Sequence, residues 1–388
     1  MKKEHICKAL PIIGIAFSYF AALIVLFHKY STGAYPSDFV LHIEEAVQHR
    51  GYSMAHFLLR LSCSTGRGSV IISFIMAGVT IFTVAAIWLF LKRLLKGENA
   101  IYDDWYILFF ALCSSVITQI YIPAIYPHFY IHDTTLAQNW HNTTFLFMRL
   151  FGWIVLIIYY YLSEHYTEKG NIKLYVLFTI SLILANYAKP NFILAFAPSM
   201  LVVLVYDFIK NTKKDNWRTY LYIVRFGICV LLSLPIIIVQ AGKVYDDGSS
   251  IIFRSDEIMA LLQNPTNFLL SIISNLAFPL IVTAVMIVVK NCNMRAICQA
   301  WLMFAISYLQ KLVMAETGIR MNHGNYSWGV YFFCGVLHVV AIGELIALIR
   351  KNKISKNVFI VASLPFFLEV ISGICYLHTL LQGSYYIV

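Results

Sequence analysis

The chain has 388 residues, of which 60% are hydrophobic and only 12% are charged, and its mean hydropathy is +0.73. This composition excludes the soluble globular classes and indicates a polytopic membrane protein. The formal net charge of +10 lies mostly in short loops between apolar runs. We therefore interpret the charge as an orientation signal, and we expect no nucleic-acid partner.

A helix needs about 17 to 25 apolar residues to cross the hydrocarbon core of a bilayer. Nine runs have roughly that length: Leu10–Phe27, Val70–Leu91, Trp105–Ile122, Phe145–Leu162, Tyr220–Gln240, Phe268–Val289, Ala296–Val313, Trp328–Ile349 and Val358–Leu381. A shorter pair, Leu174–Ala188 and Phe192–Tyr206, is interrupted at Lys189-Pro190-Asn191. With a cytoplasmic N-terminus, eleven spans put most basic residues inside, as the positive-inside rule requires. We predict an all-α, polytopic membrane protein in which residues 1–388 form one transmembrane domain of about 11 helices.

The longest outer loop, residues 28–69, is predicted to carry a juxtamembrane helix and the candidate active site. Four ionisable residues recur there at helical spacing and share one face: Asp38, His42, Glu45 and His49. Pro36 and Ser37 supply a break and an N-cap just before them. The pattern predicts a helix on the membrane surface with this row turned towards water. The row is also typical of a plain solvated face.

Three further outer segments concentrate polar side chains: His128, His132, His141 and Asn142; Lys189 and Asn191; Arg320 and His323. Interfacial aromatic belts and a snorkelling lysine are the simpler explanations for the first two. A mixture of carboxylate, imidazole, guanidinium and ammonium nevertheless suits one kind of reaction, the transfer of a group from a lipid-linked phosphate to an acceptor hydroxyl. The carboxylate takes a proton from an acceptor hydroxyl while the basic groups neutralise a phosphate leaving group on a membrane-anchored lipid.

At these residues the chain resembles the GT-C glycosyltransferases. The first span is followed by SDFVLHIEEA at 37–46, an acidic start to a surface helix, which fits the pattern of that superfamily. The WHN, KPNF and RMNHGNYSWG segments at 140–142, 189–192 and 320–329 are similar to those of bacterial GT-C-like proteins of surface-polysaccharide loci. Many members carry paired acidic residues in the first loop, whereas the nearest acidic neighbours of Asp38 are Glu44 and Glu45. Whether the protein depends on a metal therefore stays open. If it does, Glu45 and His49 are the candidate ligands for a divalent cation.

The resemblance implies transfer of a sugar from a polyprenyl-phosphate donor to a glycan or lipid-linked acceptor on the extracytoplasmic face of the plasma membrane. Asp38 would be the catalytic base for inverting attack on the anomeric carbon, and His42 would orient it or share its proton. Six substrate-binding positions are implied: His141, Asn142, Lys189, Asn191, Arg320 and His323. Among these, Lys189, Arg320 and His323 would hold the lipid phosphate.

Two other classes compete with this interpretation. A transporter or flippase would use the same outer charges as a gate and would need ionisable groups at depth, where Glu369 is expected to pair with Arg149 or Arg225. Most of the ionisable groups are instead concentrated on the outer face, which favours an enzyme. A polymerase of lipid-linked polysaccharide shares the outer-face chemistry, as does a membrane acyltransferase, for which His338 is the buried candidate.

Overall fold

The computed structural model describes residues 2–95, 104–121, 140–165, 172–211, 218–244, 248–263, 265–289, 292–318 and 325–383. The elements in chain order are α1 (Lys2–Ser31), α2 (Asp38–Val47), α3 (Met54–Cys63), α4 (Gly68–Leu94), α5 (Asp104–Val116), α6 (Thr143–Glu164), α7 (Ile172–Ala188), α8 (Asn191–Asn211), α9 (Arg218–Val244), β1 (Ile251–Phe253), α10 (Asp256–Gln263), α11 (Pro265–Val288), α12 (Arg295–Val313), β2 (Met314–Glu316), α13 (Ser327–Arg350) and α14 (Lys356–Leu381).

Nine of the described helices are long and apolar enough to cross a membrane, and α5 and α7 are shorter apolar helices. The chain is thus an all-α, multi-pass membrane protein, as its apolar runs predicted. The predicted interruption between the two short runs is also present. It is a tight turn at Lys189 and Pro190, after which Asn191 begins α8.

The helix α13 lies at the centre of the bundle. Of its most apolar stretch, 78% is buried inside the protein, against 28% for α1 and 22% for α9. It packs against α12, α11, α4 and α8, while α6 packs between α4 and α7. The short helices α2 and α3 contact α1, α4, α6 and α7 at one end of this bundle, named here the α2 end.

The predicted span Trp105–Ile122 is helical only as far as Val116, and residues 117–121 run without helical structure. Three of their amides find partners on other helices, since Thr118 N–H donates to the Glu369 carbonyl (3.2 Å), Ile120 N–H to the Ser274 carbonyl (2.8 Å) and Tyr121 N–H to Ser372 Oγ (2.9 Å). Non-helical backbone is tolerated at membrane depth only when the surrounding protein satisfies it in this way.

A glycine in α14 makes that close approach possible. A Cβ added to Gly373 would overlap the carbonyl oxygen of Val116, the last residue of α5. The non-helical segment therefore lies directly on the α14 backbone, in a place that no other residue type allows.

Candidate functional site

The predicted helix α2 forms where expected, but its polar face turns towards the bundle and not towards water. Ser37 is its N-cap, with Oγ accepting from Phe39 N–H at 3.3 Å. Phe39 is fully buried and stacks on Phe27, with ring centroids 5.5 Å apart. Because His42 lies one turn after Phe39 on the same face, anchoring the phenyl ring also buries the imidazole.

The predicted ionisable row is interrupted at its last member. The helix ends at Val47, and His49 is exposed with a left-handed backbone, φ 61°. His56 of α3 takes the place that the spacing assigned to His49, since its Nε2 lies 2.8 Å from Glu45 Oε2. The alternative in which Glu45 and His49 bind a divalent cation thus loses its helical spacing, because α2 ends two residues before His49.

Asp38 is tied to the start of α6. Asn142 is the N-cap of α6, and its Oδ1 accepts from Phe145 N–H (2.9 Å) and from the Thr144 hydroxyl (2.7 Å). The amide nitrogen on the other side of the same group donates to Asp38 Oδ2 at 2.7 Å. Asn142 is buried and Asp38 is half-buried. One amide thus caps a transmembrane helix and orients a carboxylate that retains lone pairs for a further partner.

His42 contacts the first residue of α6, with Nδ1 2.6 Å from Thr143 Oγ1. Burial lowers the pKa of the His42 imidazole well below its usual range, and the nearby His56, Lys189 and His141 lower it further. The ring is consequently neutral at physiological pH. Its Nδ1 is hydrogen-bonded to the Thr143 hydroxyl, and Nε2 is the second nitrogen through which the ring can interact.

His56 connects the two short helices. Its Nδ1 lies 2.7 Å from Ser53 Oγ at the N-cap of α3, and its Nε2 faces Glu45. The His42 and His56 rings meet edge to face, with centroids 5.1 Å apart. The donor atoms of His42, Glu45 and His56 all lie within 4.8 Å of one another, a spacing at which they could hold a metal ion.

The α7–α8 turn carries Lys189 next to this cluster. Its Nζ donates to Thr144 Oγ1 at 3.2 Å and lies 4.4 Å from the centroid of the Trp328 ring. The His141 ring packs against the same tryptophan, 6.0 Å between centroids. Burial lowers the pKa of His141, Lys189 lowers it too, and only the charge of Asp38 raises it. His141 therefore experiences both the carboxylate and the ammonium charge.

A cavity of about 150 Å³ opens beside Lys189. Leu194, Ile237, Val244 and Ile251 form part of its apolar wall. Its polar residues include Tyr52, Thr144, Lys189, Asn191, Gln240, Glu316 and Asn325.

Hydrogen bonds rigidify the polar rim of that cavity. Asn191 Nδ2 donates to the Asn325 carbonyl (2.8 Å), and Asn325 Nδ2 donates to Glu316 Oε2 (2.5 Å). Glu316 is held in place by an antiparallel pairing of β1 with β2, in which it lies opposite Ile251. The sequence pattern did not predict this two-stranded element.

The structure brings five of the predicted site residues to the α2 end in one hydrogen-bonded and charged neighbourhood: Asp38, His42, His141, Asn142 and Lys189. Asn191 lies on the rim of the adjoining cavity. Arg320 and His323, like His128 and His132, lie outside the described residues.

The sequence pattern missed His56, Thr143 and Thr144. The only sequence signal for His56 was the serine three residues before it, which marks a helix start. The hydroxyls of Thr143 and Thr144 gave no signal, because threonine is common at helix starts.

The ionisable groups at depth pair differently from the prediction. Glu369 does not pair with Arg149 or Arg225. Its Oε1 lies 3.3 Å from His338 Nε2, and both side chains are fully buried. Arg225 lies instead against Tyr175, 5.6 Å from its ring centroid. Glu369 and Arg225 belong to helices at different places in the bundle, which the apolar runs alone do not reveal.

The fold and this site define a multi-pass α-helical membrane protein with a polar, partly buried cluster and an adjoining cavity at one end of its bundle. No protein-family model matches the chain, and no curated protein matches its sequence.

Proposed function

We propose that this protein is a membrane glycosyltransferase. It transfers a sugar from a polyprenyl-phosphate donor to a glycan or lipid-linked acceptor, with Asp38 as the general base. The observation that carries the proposal is the hydrogen bond from Asn142 to Asp38, which orients a half-buried carboxylate in the neighbourhood of Lys189 and its cavity.

The cavity supports a lipid-linked phosphate as the donor. An ammonium group with an adjacent hydroxyl is suited to a phosphate, which it neutralises and hydrogen-bonds. The apolar side chains on the wall suit the first isoprene units, while the remaining tail stays in the bilayer.

Asp38 and Lys189 account for the proton and the leaving group of the proposed transfer. Asp38 takes the proton of the acceptor hydroxyl, and the oxygen attacks the anomeric carbon of the donor as the bond from that carbon to the phosphate oxygen breaks. Lys189 neutralises the charge that develops on the departing polyprenyl phosphate. His42 lies one turn after Asp38 on α2 and orients it or shares its proton.

We assign the α2 end to the extracytoplasmic side of the plasma membrane and the N-terminus to the cytoplasm. Basic side chains at the opposite ends of the helices support this orientation, among them Lys92, Lys210 and Arg350. In a variant whose eight native cysteines are replaced, a single cysteine introduced at exposed His49 is expected to react with a membrane-impermeant maleimide in intact cells. A cysteine replacing Asn352 at the opposite end is expected to react only after permeabilisation, and the reverse result would invert the assignment.

The direct test uses proteoliposomes supplied with labelled polyprenyl-phosphate monosaccharides. The native protein is expected to transfer label, and Asp38→Asn is expected to lose transfer. Glu44→Gln is the matched control, because Glu44 is an exposed carboxylate on the same helix. No transfer from any donor, or equal transfer by Asp38→Asn, would refute the assignment. Transfer only from lipid-linked oligosaccharides would instead identify a polymerase.

A second candidate, a flippase of lipid-linked polysaccharide, is favoured by the buried His338–Glu369 pair. This pair adjoins the non-helical segment 117–121, whose Thr118 N–H bonds to the Glu369 carbonyl. Ionisable groups beside broken helices are typical of transport paths. Movement of a labelled lipid-linked glycan across proteoliposomes that is lost in Glu369→Gln and kept in Asp38→Asn would support this candidate over the transferase.

A further inference from the structure

We propose that His42, Glu45 and His56 form a binding site for a single zinc-type divalent cation at the α2 end. Metal content is measured without substrate, so the proposal does not depend on the transferase function.

The three side chains come from two elements that pack together. His42 and Glu45 are three residues apart on α2 and so share a face, and His56 lies in the first turn of α3. Their donor atoms lie within 4.8 Å of one another, and Glu45 Oε2 lies 2.8 Å from His56 Nε2. Zinc bonds of about 2.0–2.1 Å in a tetrahedron put donor atoms roughly 3.4 Å apart, so small side-chain adjustments suffice.

Both imidazoles are held in place by hydrogen bonds at Nδ1. His42 Nδ1 lies 2.6 Å from Thr143 Oγ1, and His56 Nδ1 lies 2.7 Å from Ser53 Oγ. For His42, a proton on Nδ1 that is donated to the Thr143 hydroxyl leaves Nε2 with a lone pair. His56 Nδ1 also accepts from the Ser53 N–H (3.3 Å), so His56 Nε2 carries the proton that it donates to Glu45, and metal binding there displaces that proton. An oxygen partner such as the one at His42, which fixes the tautomer and the ring orientation, accompanies nearly all metal-binding histidines.

The donor set selects the class of metal. Magnesium and calcium prefer oxygen ligands, whereas two imidazoles with one carboxylate suit zinc and related transition metals. Three protein ligands leave a fourth position for water or substrate, the arrangement of catalytic zinc sites. Glu45 is 31% exposed at its side chain, so an ion has an entry route from solvent.

The test is the zinc content of the purified full-length protein after dialysis against buffered Zn²⁺, with Co²⁺ as a spectroscopic probe of coordination. The native chain is expected to retain one tightly bound ion. Glu45→Gln and His56→Gln are expected to lose it, and His49→Asn, an exposed histidine near the end of the same helix, is expected to keep it. No tight binding by the native chain, or equal retention by the two ligand variants, would overturn the proposal.

A further variant guards against loss of folding. Thr143→Val preserves shape and removes only the hydroxyl that holds His42 Nδ1. Its expected effect is a roughly 10- to 100-fold weaker affinity for Zn²⁺ with an unchanged stoichiometry. An unchanged affinity in this variant, with native zinc binding present, would mean that the ion binds elsewhere and would also overturn the proposal.

Discussion

Replacing Asn142 tests whether one amide both caps α6 and holds Asp38. Asn142→Ala removes the N-cap acceptor, which costs about 1 kcal/mol, and a hydrogen bond to a carboxylate, which costs about 1.5–3 kcal/mol. Since Asp38 is half-exposed, water replaces part of the second loss. We expect the free energy of unfolding to fall by about 2–4 kcal/mol in total. The measurement is denaturant unfolding in micelles, followed by tryptophan fluorescence.

Ser355→Ala is the matched control for the capping contribution. Ser355 is the N-cap of α14, and its Oγ accepts only from Val358 N–H, at 3.3 Å. Its loss is expected to cost about 1 kcal/mol, and the excess for Asn142→Ala measures the bond to Asp38. A double-mutant cycle of Asp38→Ala with Asn142→Ala isolates the same bond. Equal costs at both caps, together with no coupling in the cycle, would refute the double role.

Asn142→Asp separates the two roles by pH. Aspartate caps a helix as well as asparagine does, but it replaces the donor with a second carboxylate beside Asp38. Two such charges about 4 Å apart repel by about 1 kcal/mol in water and about 4 kcal/mol at an effective dielectric constant of 20. The folded variant therefore binds a proton more readily than its unfolded chain, so its stability decreases as pH rises. A stability difference from the native protein that is the same at acidic and neutral pH would contradict this reasoning.

Three further predictions concern the interior and the cavity. Gly373→Ala is expected to destabilise the protein by at least the roughly 1–3 kcal/mol typical of overpacking, because its Cβ overlaps the end of α5. Gly335→Ala, a helical glycine with open space around it, is expected to be neutral or stabilising by up to about 1 kcal/mol in the same unfolding assay. Glu369→Leu is expected to cost about 3–5 kcal/mol by removing the carboxylate partner of the buried His338 Nε2, and a second change of His338 to Phe is expected to restore most of this loss in thermal unfolding. Lys189→Met is expected to weaken binding of a polyprenyl phosphate by about ten- to a hundredfold in a direct binding assay, and unchanged binding would remove Lys189 from the proposed phosphate site.

Properties that depend on neighbouring residues could be predicted from the sequence. Apolar runs long enough to cross a bilayer as helices predicted the all-α, multi-pass class, since a helix satisfies all of its backbone hydrogen bonds within one segment. Ser37 predicted the start of α2, because N-capping is a contact between residues two or three apart. The interruption at Pro190 was equally local, since proline removes a backbone donor.

Only the tertiary structure decided which side chains meet. Asp38 and Asn142 are separated by 104 residues, and His42 and Thr143 by 101, so no helical period relates them. The sequence pattern assigned His49 to the ionisable row because it assumed that α2 continues, whereas the chain turns after Val47 and brings in His56 instead. The early end of α5 likewise depends on hydrogen bonds that the following amides donate to α11 and α14. Periodicity along a chain determines helices and their faces, but packing between distant helices determines which faces are buried and therefore which groups form a site.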